Sequence, residues 1–173
     1  MTDARYPIGR FEHLGAVTAE DRGRWIDEIA ALPEALRSAL TVVPADALDT
    51  PYRDGGWTLR QVVHHLPDSH LNAYVRFKLA LTEDEPTIKP YDEAAWAELA
   101  DGDATPIRTS VDLLDALHVR WTVLMRHLSE RQWARTLDHP EAGRQRLDVL
   151  VAHYAWHGRH HLAHITTALD RMG

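Results

Sequence analysis

The sequence predicts an all-α protein, a four-helix bundle with short extra helices in the connections. Apolar residues recur at three- and four-residue steps through most of the chain, as they do on amphipathic helices. No stretch alternates with period two for long enough to indicate a sheet. Four long amphipathic segments can bury a common core. At 173 residues the chain is expected to form a single domain over residues 1–173.

The first long helix is expected to begin after Thr18, because Asp21 completes a capping box with that threonine. Pro33 interrupts the helical run, so we expect a kink or a division into two pieces. A connection over "ADALDTPYRDGGW" follows, with a glycine pair at its turn. The apolar residues that define this helix are Trp25, Ile29, Leu32, Leu36, Leu40 and Val43.

The second long helix is expected to start at Thr58, with Gln61 in the capping-box position, and to run to about Leu81. Pro67 lies inside it, where it frees the carbonyl of Val63 and bends the axis. The segment "EDEPTIKPY" reads as a loop and "DEAAWAELA" as a short helix.

The remaining chain supplies the other two long helices. One is expected from about Ser110 to Leu128, on apolar residues at heptad-like spacing. The segment "ERQWART" indicates one or two helical turns and "LDHPEAGR" a turn. The last helix runs from about Leu147 to Arg171.

Composition excludes several classes of function. The net charge of -7, without a basic block, argues against nucleic acid or an anionic membrane as a partner. No apolar run approaches the roughly 20 residues that span a bilayer, and the N-terminus lacks a signal pattern. The absence of cysteine excludes disulfides, thiolate metal sites and a cysteine nucleophile. A cytoplasmic location is the default expectation.

The last helix carries a cluster of histidines in "HYAWHGRHHLAHI", residues 153–165. His161 falls inside the apolar arc of this helix and His157 at its edge. The two lie one turn apart on the same face, so both imidazoles can reach one metal ion. A second pair with this spacing, His160 and His164, points further from the core.

The second helix offers a matching histidine in "QVVHHLPDSH". On a helical wheel, His65 lies at the edge of the apolar face and His64 lies well round toward solvent. His70 lies near the apolar side but far from His65. If His65 meets His157 and His161 across the bundle interior, a three-nitrogen site forms with a coordination position open to water or substrate. The alternative for each histidine is a core residue whose ring N–H is satisfied by a carbonyl. The nearby carboxylates lie largely off these helix faces, so they are not expected to be ligands: Asp68, Asp148 and Asp170. These helices also lack the Glu-x-x-His pairs that a di-iron site requires.

Two segments of the chain resemble signatures of the YfiT-type metal-dependent hydrolase family, which belongs to the DinB-like superfamily of four-helix bundles. The first is "PYRDGGWTLRQVVHHLPDSHLNAYVRFKLALTEDEPTIKPYDEAAW", residues 51–96, and the second is "YAWHGRHHLAHI", residues 154–165. Trp57 is followed eight positions later by His65-Leu66-Pro67-Asp68, which is similar to the superfamily pattern of tryptophan and His-Leu-x-Asp. Pro67 departs from the small helix former expected there.

The resemblance implies one divalent metal ion per chain, zinc or nickel, held by His65, His157 and His161. It also implies a homodimer. Members of the family include transferases that use low-molecular-weight thiols such as bacillithiol or mycothiol.

Two chemistries remain open at such a site. The leading hypothesis is that the metal activates the sulfur of a small thiol, which attacks an electrophile. A hydrolase would instead activate water, and Asp68 is a candidate base or a partner that orients a ligand imidazole. A non-catalytic metal-binding or stress-response bundle is the third alternative.

Other residues receive weaker assignments. Four residues could bind an anionic cosubstrate: Tyr52, Arg53, Arg76 and Tyr91. His64 and His160 are expected to support the ligands or to face solvent. Four histidines show no pattern that assigns a role: His13, His118, His127 and His139.

Overall fold

A computed structural model of the protein describes residues 3–12 and 15–172, so His13 lies outside the described residues. The long helices are α1 (Ala19–Leu40), α2 (Leu59–Thr82), α5 (Ile107–Arg126) and α7 (Leu147–Met172). The short elements are a 3-10 helix (Ala45–Asp49), α3 (Glu93–Ala97), α4 (Ala100–Ala104), α6 (Glu130–Trp133), β1 (Thr136–His139) and β2 (Gly143–Arg146). In the described ranges, no helix is both long enough and apolar enough to cross a membrane.

The predicted starts of the first two long helices are confirmed. The Thr18 hydroxyl accepts the backbone N–H of Asp21 at 3.1 Å, and the aspartate side chain accepts the N–H of Thr18. Thr58 and Gln61 form the same reciprocal pair. Each box satisfies two N–H groups that the first helical turn leaves without a partner.

The prolines do not divide the helices that contain them. α1 continues through Pro33 to Leu40, and α2 continues through Pro67 to Thr82. The expectation that the first helix separates into two pieces is therefore wrong. Both prolines are buried, and the packing of each helix against two neighbours outweighs one missing backbone hydrogen bond.

Three local features differ from the sequence-based expectation. α5 begins at Ile107, directly after Pro106, and so starts earlier than the expected Ser110. A proline is tolerated at the start of a helix, although not in its interior. α4 forms a second short helix after α3. The predicted turn over "LDHPEAGR" has flanks that pair as an antiparallel hairpin, with Leu137 opposite Gln145. Strands of four residues are too short to give a clear period-two signal.

The four long helices pack in a ring in which α1 and α2 each contact both α5 and α7. α2 and α5 run parallel, since His64 meets Ser110 and His70 meets His118 further along both helices. Parallel neighbours cannot be joined by a tight turn, so residues 83–106 cross back along the bundle. This crossing segment carries α3 and α4, which pack on α2.

The core consists of two apolar clusters with histidines between them. One cluster contains Ile29, Ala73, Phe77, Trp121 and Ala155, and the other contains Leu32, Leu66, Leu114 and Ile165. Along α2, α5 and α7 the buried histidines occupy positions between the two clusters: His70, His118 and His161. A polar layer therefore crosses the middle of the bundle, and the apolar clusters on either side of it hold the helices in register.

Candidate metal centre

α2 contributes His65 to the polar layer. The capping box at Thr58 fixes the start of the helix, and His65 follows two turns later on the face that packs against α7. Its side chain is buried, and its ring lies 4.8 Å from the Trp57 ring, centroid to centroid. Despite the departure at Pro67, the ring of His65 points into the bundle.

α7 contributes His157 and His161. The two rings lie one turn apart with their centroids separated by 4.5 Å, as two imidazoles on one helix face should. Gly158 lies between them and lets α7 approach α1 closely, because a Cβ at this position would lie only 2.6 Å from Cδ2 of Leu32.

The structure brings the three predicted histidines together. Nε2 of His65 lies 3.3 Å from Nε2 of His157, and the His65 and His161 rings are 4.8 Å apart between centroids. One ring nitrogen from each residue lies within 4.8 Å of the other two, so the three could hold a metal ion. Two nitrogens bound to one tetrahedral ion at about 2.0–2.1 Å lie roughly 3.3–3.4 Å from each other, which matches the observed Nε2–Nε2 separation.

Burial keeps these imidazoles neutral. It lowers the pKa of His65 to about 4 and holds the pKa values of His157 and His161 well below the ordinary value, with neighbouring histidines adding to the shift. A neutral imidazole retains a lone pair, and only this form can ligate a metal. The donor set therefore suits an ion that accepts nitrogen ligands, such as zinc or nickel.

A cavity of about 320 Å³ opens beside the three histidines. Its other polar lining includes Ser69, Arg76, Tyr91 and Tyr154. Burial raises the pKa of Tyr91 to about 12 and also raises that of Tyr154, so both phenols keep their protons and can donate hydrogen bonds. The Arg76 guanidinium donates to the Tyr154 hydroxyl at 3.3 Å.

The four residues proposed to bind an anionic cosubstrate line two different cavities. Arg76 and Tyr91 line the cavity beside the three histidines. Tyr52 and Arg53 line another, of about 340 Å³, which shares Trp57 and His161 with the first. A helical wheel could not show this division, because only Arg76 lies in a helix, whereas Tyr52, Arg53 and Tyr91 lie in connecting segments.

Asp68 lies away from this cavity. It lines a separate one of about 200 Å³, together with His65, Asp101 and Glu93. Burial raises the pKa of Asp68 to about 6, with a smaller contribution from Asp101. Its assignment as a catalytic base or a ligand-orienting group stays a prediction.

Three histidines that the helical wheel placed away from the core are buried. His64 is 8% exposed, and its Nδ1 lies 2.7 Å from the Ser110 hydroxyl on α5. His160 and His164 are also buried and form, with His161, a second group that could hold a metal ion. The single-helix wheel was wrong here because it cannot include surfaces that α5, the N-terminal segment and residues 51–57 cover.

Sequence reasoning also missed the residues behind His157. Nε2 of His70 lies 3.2 Å from Nδ1 of His157, and Nδ1 of His70 lies 2.8 Å from Nε2 of His118. The available signal was the placement of His70 and His118 among apolar residues of two different helices. That pattern indicates a buried polar group with a partner, although not which partner.

The fold and the site define a class: a helical bundle with a buried cluster of neutral histidines that could hold a metal ion. The chain belongs to the DinB superfamily, whose family model matches residues 28–165. The DinB-like superfamily is therefore confirmed, and the relatives described next confirm the resemblance to YfiT-type proteins and the predicted four-helix bundle.

The relatives of the chain align over nearly its full length. It is 51% identical to a Bacillus mycoides (strain KBAB4) protein and 52% identical to one from Bacillus cereus (strain B4264), each over 172 residues and 99% of both chains. Both relatives are named provisionally as metal-dependent hydrolases. The solved structure of YfiT from Bacillus subtilis, described as a probable metal-dependent hydrolase with an unusual four-helix bundle topology, matches with a TM-score of 0.96 and 46% identity over 99% of both chains.

Proposed function

We propose that this protein is a metal-dependent enzyme that activates a low-molecular-weight thiol for transfer to an electrophile. His65, His157 and His161 would hold one divalent ion, zinc or nickel. The observation that carries the proposal is the Nε2–Nε2 separation of 3.3 Å between helices α2 and α7, at the wall of a cavity of about 320 Å³. The absence of cysteine is consistent with a thiol that arrives with the cosubstrate.

The remaining polar groups of the cavity would position the two substrates. A bound divalent ion supplies a Lewis acid that lowers the pKa of a thiol or of water. Arg76 would bind a carboxylate of the thiol cosubstrate through its forked donors. Tyr91 and Tyr154, held as neutral phenols, would donate hydrogen bonds to the group that leaves the electrophile.

The proposed reaction balances without a redox partner. The thiol loses its S–H proton to solvent or to a side chain of the cavity, and its sulfur forms a bond to carbon. The bond between that carbon and the leaving group breaks, and the leaving group departs with the electron pair. With a chloro-arene the products are a thioether, chloride and a proton.

Hydrolysis is the second candidate, and one structural feature favours it. Glu93 and Glu141 line the same cavity, where an exposed carboxylate could accept a proton from an attacking water. The names of the relatives also favour this chemistry. A bundle that binds metal without catalysis is the third.

An assay of the metal-loaded protein separates these candidates. The protein is incubated with an activated chloro-arene and each of several small thiols, and the thioether is measured by mass spectrometry beside a His65→Ala control. Thioether that requires the thiol, the metal and His65 supports the transferase. Product formed without any thiol overturns the transferase in favour of the hydrolase, and no product from chloro-arene or ester substrates favours the non-catalytic bundle.

The homodimer stays a prediction. Apolar side chains on the outer faces of α2 and α5 are exposed and support it: Leu71, Val75, Val119 and Val123. Sedimentation of the purified protein, beside a variant in which Val75 and Val119 are replaced by lysine, tests it directly.

A further inference from the structure

A chain of hydrogen-bonded histidines runs from His157 to a backbone carbonyl. Nδ1 of His157 lies 3.2 Å from Nε2 of His70. Nδ1 of His70 lies 2.8 Å from Nε2 of His118, and Nδ1 of His118 lies 2.6 Å from the carbonyl oxygen of Ile29. The chain thus crosses from α7 through α2 and α5 to α1.

The carbonyl oxygen at the end of this chain determines which ring nitrogen of each histidine carries the proton. A neutral imidazole has one N–H donor and one lone pair, and a carbonyl oxygen can only accept. Nδ1 of His118 must therefore carry its proton, which leaves Nε2 of His118 to accept from Nδ1–H of His70. Nε2 of His70 in turn accepts from Nδ1–H of His157, so the lone pair of His157 is on Nε2, the atom that faces His65.

A second, shorter chain ends at His161. Nε2 of His164 lies 3.3 Å from the carbonyl oxygen of Arg5, and Nδ1 of His164 lies 3.3 Å from Nδ1 of His161. The same reasoning places a proton on Nε2 of His164 and another on Nδ1 of His161. The lone pair of His161 is then also on Nε2.

We propose that His70, His118 and His164 are positioning residues that fix the tautomers of His157 and His161, so that both present an Nε2 lone pair to one metal ion. The carbonyl groups of Ile29 and Arg5 set the direction of the two chains. This inference rests on the proposed metal centre and adds the residues that prepare it.

The neutrality that this reasoning requires follows from the surroundings. His70 is fully buried and His118 nearly so, and a charged imidazole would lose its hydration there with no anionic group in the hydrogen-bond chain to compensate for it. The tautomers also decide between the two groups that could hold a metal. A neutral His161 has one lone pair, so it cannot serve both His65 and His157 on one side and His160 and His164 on the other.

The matched test replaces each positioning histidine in two ways. His70→Gln keeps an acceptor for His157 Nδ1–H, whereas His70→Leu removes it. His164→Asn and His164→Leu form the corresponding pair behind His161. His127→Leu, at an exposed histidine of the α5 terminus, controls for the loss of an imidazole alone.

The readout is the zinc dissociation constant, measured by competition with a chromophoric chelator. Loss of an outer partner of a metal-bound histidine costs roughly 10- to 100-fold in affinity, which is the weakening expected for the two leucine variants. The glutamine and asparagine variants should recover part of it, and His127→Leu should bind like the wild type. Folded leucine variants with wild-type affinity would overturn the inference.

A measurement on the metal-free wild type is independent of metal binding and of variant folding. Two-bond ¹H–¹⁵N correlation spectra distinguish the two neutral tautomers of each histidine. We expect Nδ1–H for His157 and His161, and Nε2–H on either residue would overturn the inference. If the tautomers are as expected and zinc does not bind, the proposed metal centre fails while the tautomer assignment stands.

Discussion

His65 on α2 and His157 on α7 face each other with their Nε2 atoms 3.3 Å apart, although 92 residues separate them in the chain. The antiparallel packing of the two helices creates this contact, and the apolar clusters on either side hold it in place. His65 is buried and His157 partly buried, and both rings line the cavity of about 320 Å³. A cation between them is the arrangement that uses both lone pairs at once.

Substitution of either histidine should therefore abolish metal binding without unfolding the bundle. His65→Ala and His157→Ala each leave two of three ligands, and we expect less than a tenth of the metal content that the wild type carries after dialysis at neutral pH. Elemental analysis beside circular dichroism measures both properties. His139→Ala is the control, because His139 lines the same cavity without belonging to the three-histidine group. Wild-type metal content in either ligand variant would contradict the proposed site.

Metal removal should lower the melting temperature while the helix content stays the same. An ion that binds only the folded state stabilises it by about 2.7 kcal/mol at a free concentration 100 times the dissociation constant. The apolar clusters do not depend on the ion, so the metal-free protein should still melt cooperatively. Calorimetry with zinc and with chelator tests this, and His161→Ala should show no response to zinc. Loss of the helical signal on chelation would instead make the ion part of the fold.

Gly158 should not tolerate a side chain, although alanine favours helices. An added Cβ would lie 2.6 Å from Cδ2 of the buried Leu32, so either Leu32 must adopt another rotamer in a packed core or α7 must move away from α1. Such overpacking costs about 1–3 kcal/mol, against a helix-propensity gain of about 1 kcal/mol. We expect Gly158→Ala to be net destabilising in urea unfolding and to weaken zinc binding, since His157 is its neighbour.

Gly23→Ala is the matched control for that substitution. Gly23 lies in α1, and a Cβ there would have no atom within 4 Å. We expect this variant to gain about 0.5–1 kcal/mol from helix propensity alone. A similar gain in Gly158→Ala would show that the contact with Leu32 relaxes without cost.

The long helices could be predicted because their signals are local. The capping residues Thr18 and Thr58 and the apolar spacing lie within each segment, and the structure confirms them. Of the two outcomes expected at Pro33, a kink or a division, the division is excluded because packing against other helices keeps α1 continuous. The hairpin at Leu137 was missed because its pairing partner, Gln145, lies across a turn, where the period-two pattern is too short to detect.

The residues of the candidate site differ in the same way: those with a local signal could be predicted, and those that depend on contacts between helices could not. His65, His157 and His161 could be selected because helix periodicity places them toward the interior, and the resemblance agreed. His70 and His118 could not, because the role of each depends on which ring nitrogen meets which neighbour on two other helices. A hydrogen-bond chain that connects several helices produces no periodic pattern in the sequence of any one helix.

The Asp68 carboxyl should make a contribution to the stability of the protein that decreases as the pH rises from about 4 to about 6. Burial raises the pKa of this carboxyl from the ordinary 3.8 to about 6 in the folded protein. Between these values the Asp68 carboxyl is more fully protonated in the folded state than in the unfolded state, so its contribution to the free energy of unfolding falls with increasing pH. The buried histidines, whose pKa values burial lowers, contribute in the opposite direction in both the wild type and an Asp68 variant. The other titratable groups around the same cavity are Glu93, Asp101, His64 and His65.

Asp68→Asn should therefore be more stable than the wild type at pH 7, and the difference in stability between the two should grow as the pH rises from about 4 to about 6. We expect a gain of about 1 kcal/mol, because the half-buried carboxyl is partly screened by solvent. Urea unfolding at half-unit pH steps measures it in metal-free protein, beside Asp46→Asn, which removes an exposed carboxyl of the 3-10 helix. Parallel pH profiles for wild type and Asp68→Asn would show that the carboxyl is solvated in the folded state. A carboxyl with a pKa of about 6 is still mostly ionised at pH 7 and is a stronger base than a solvated one, so profiles that diverge as expected would support Asp68 as a proton acceptor.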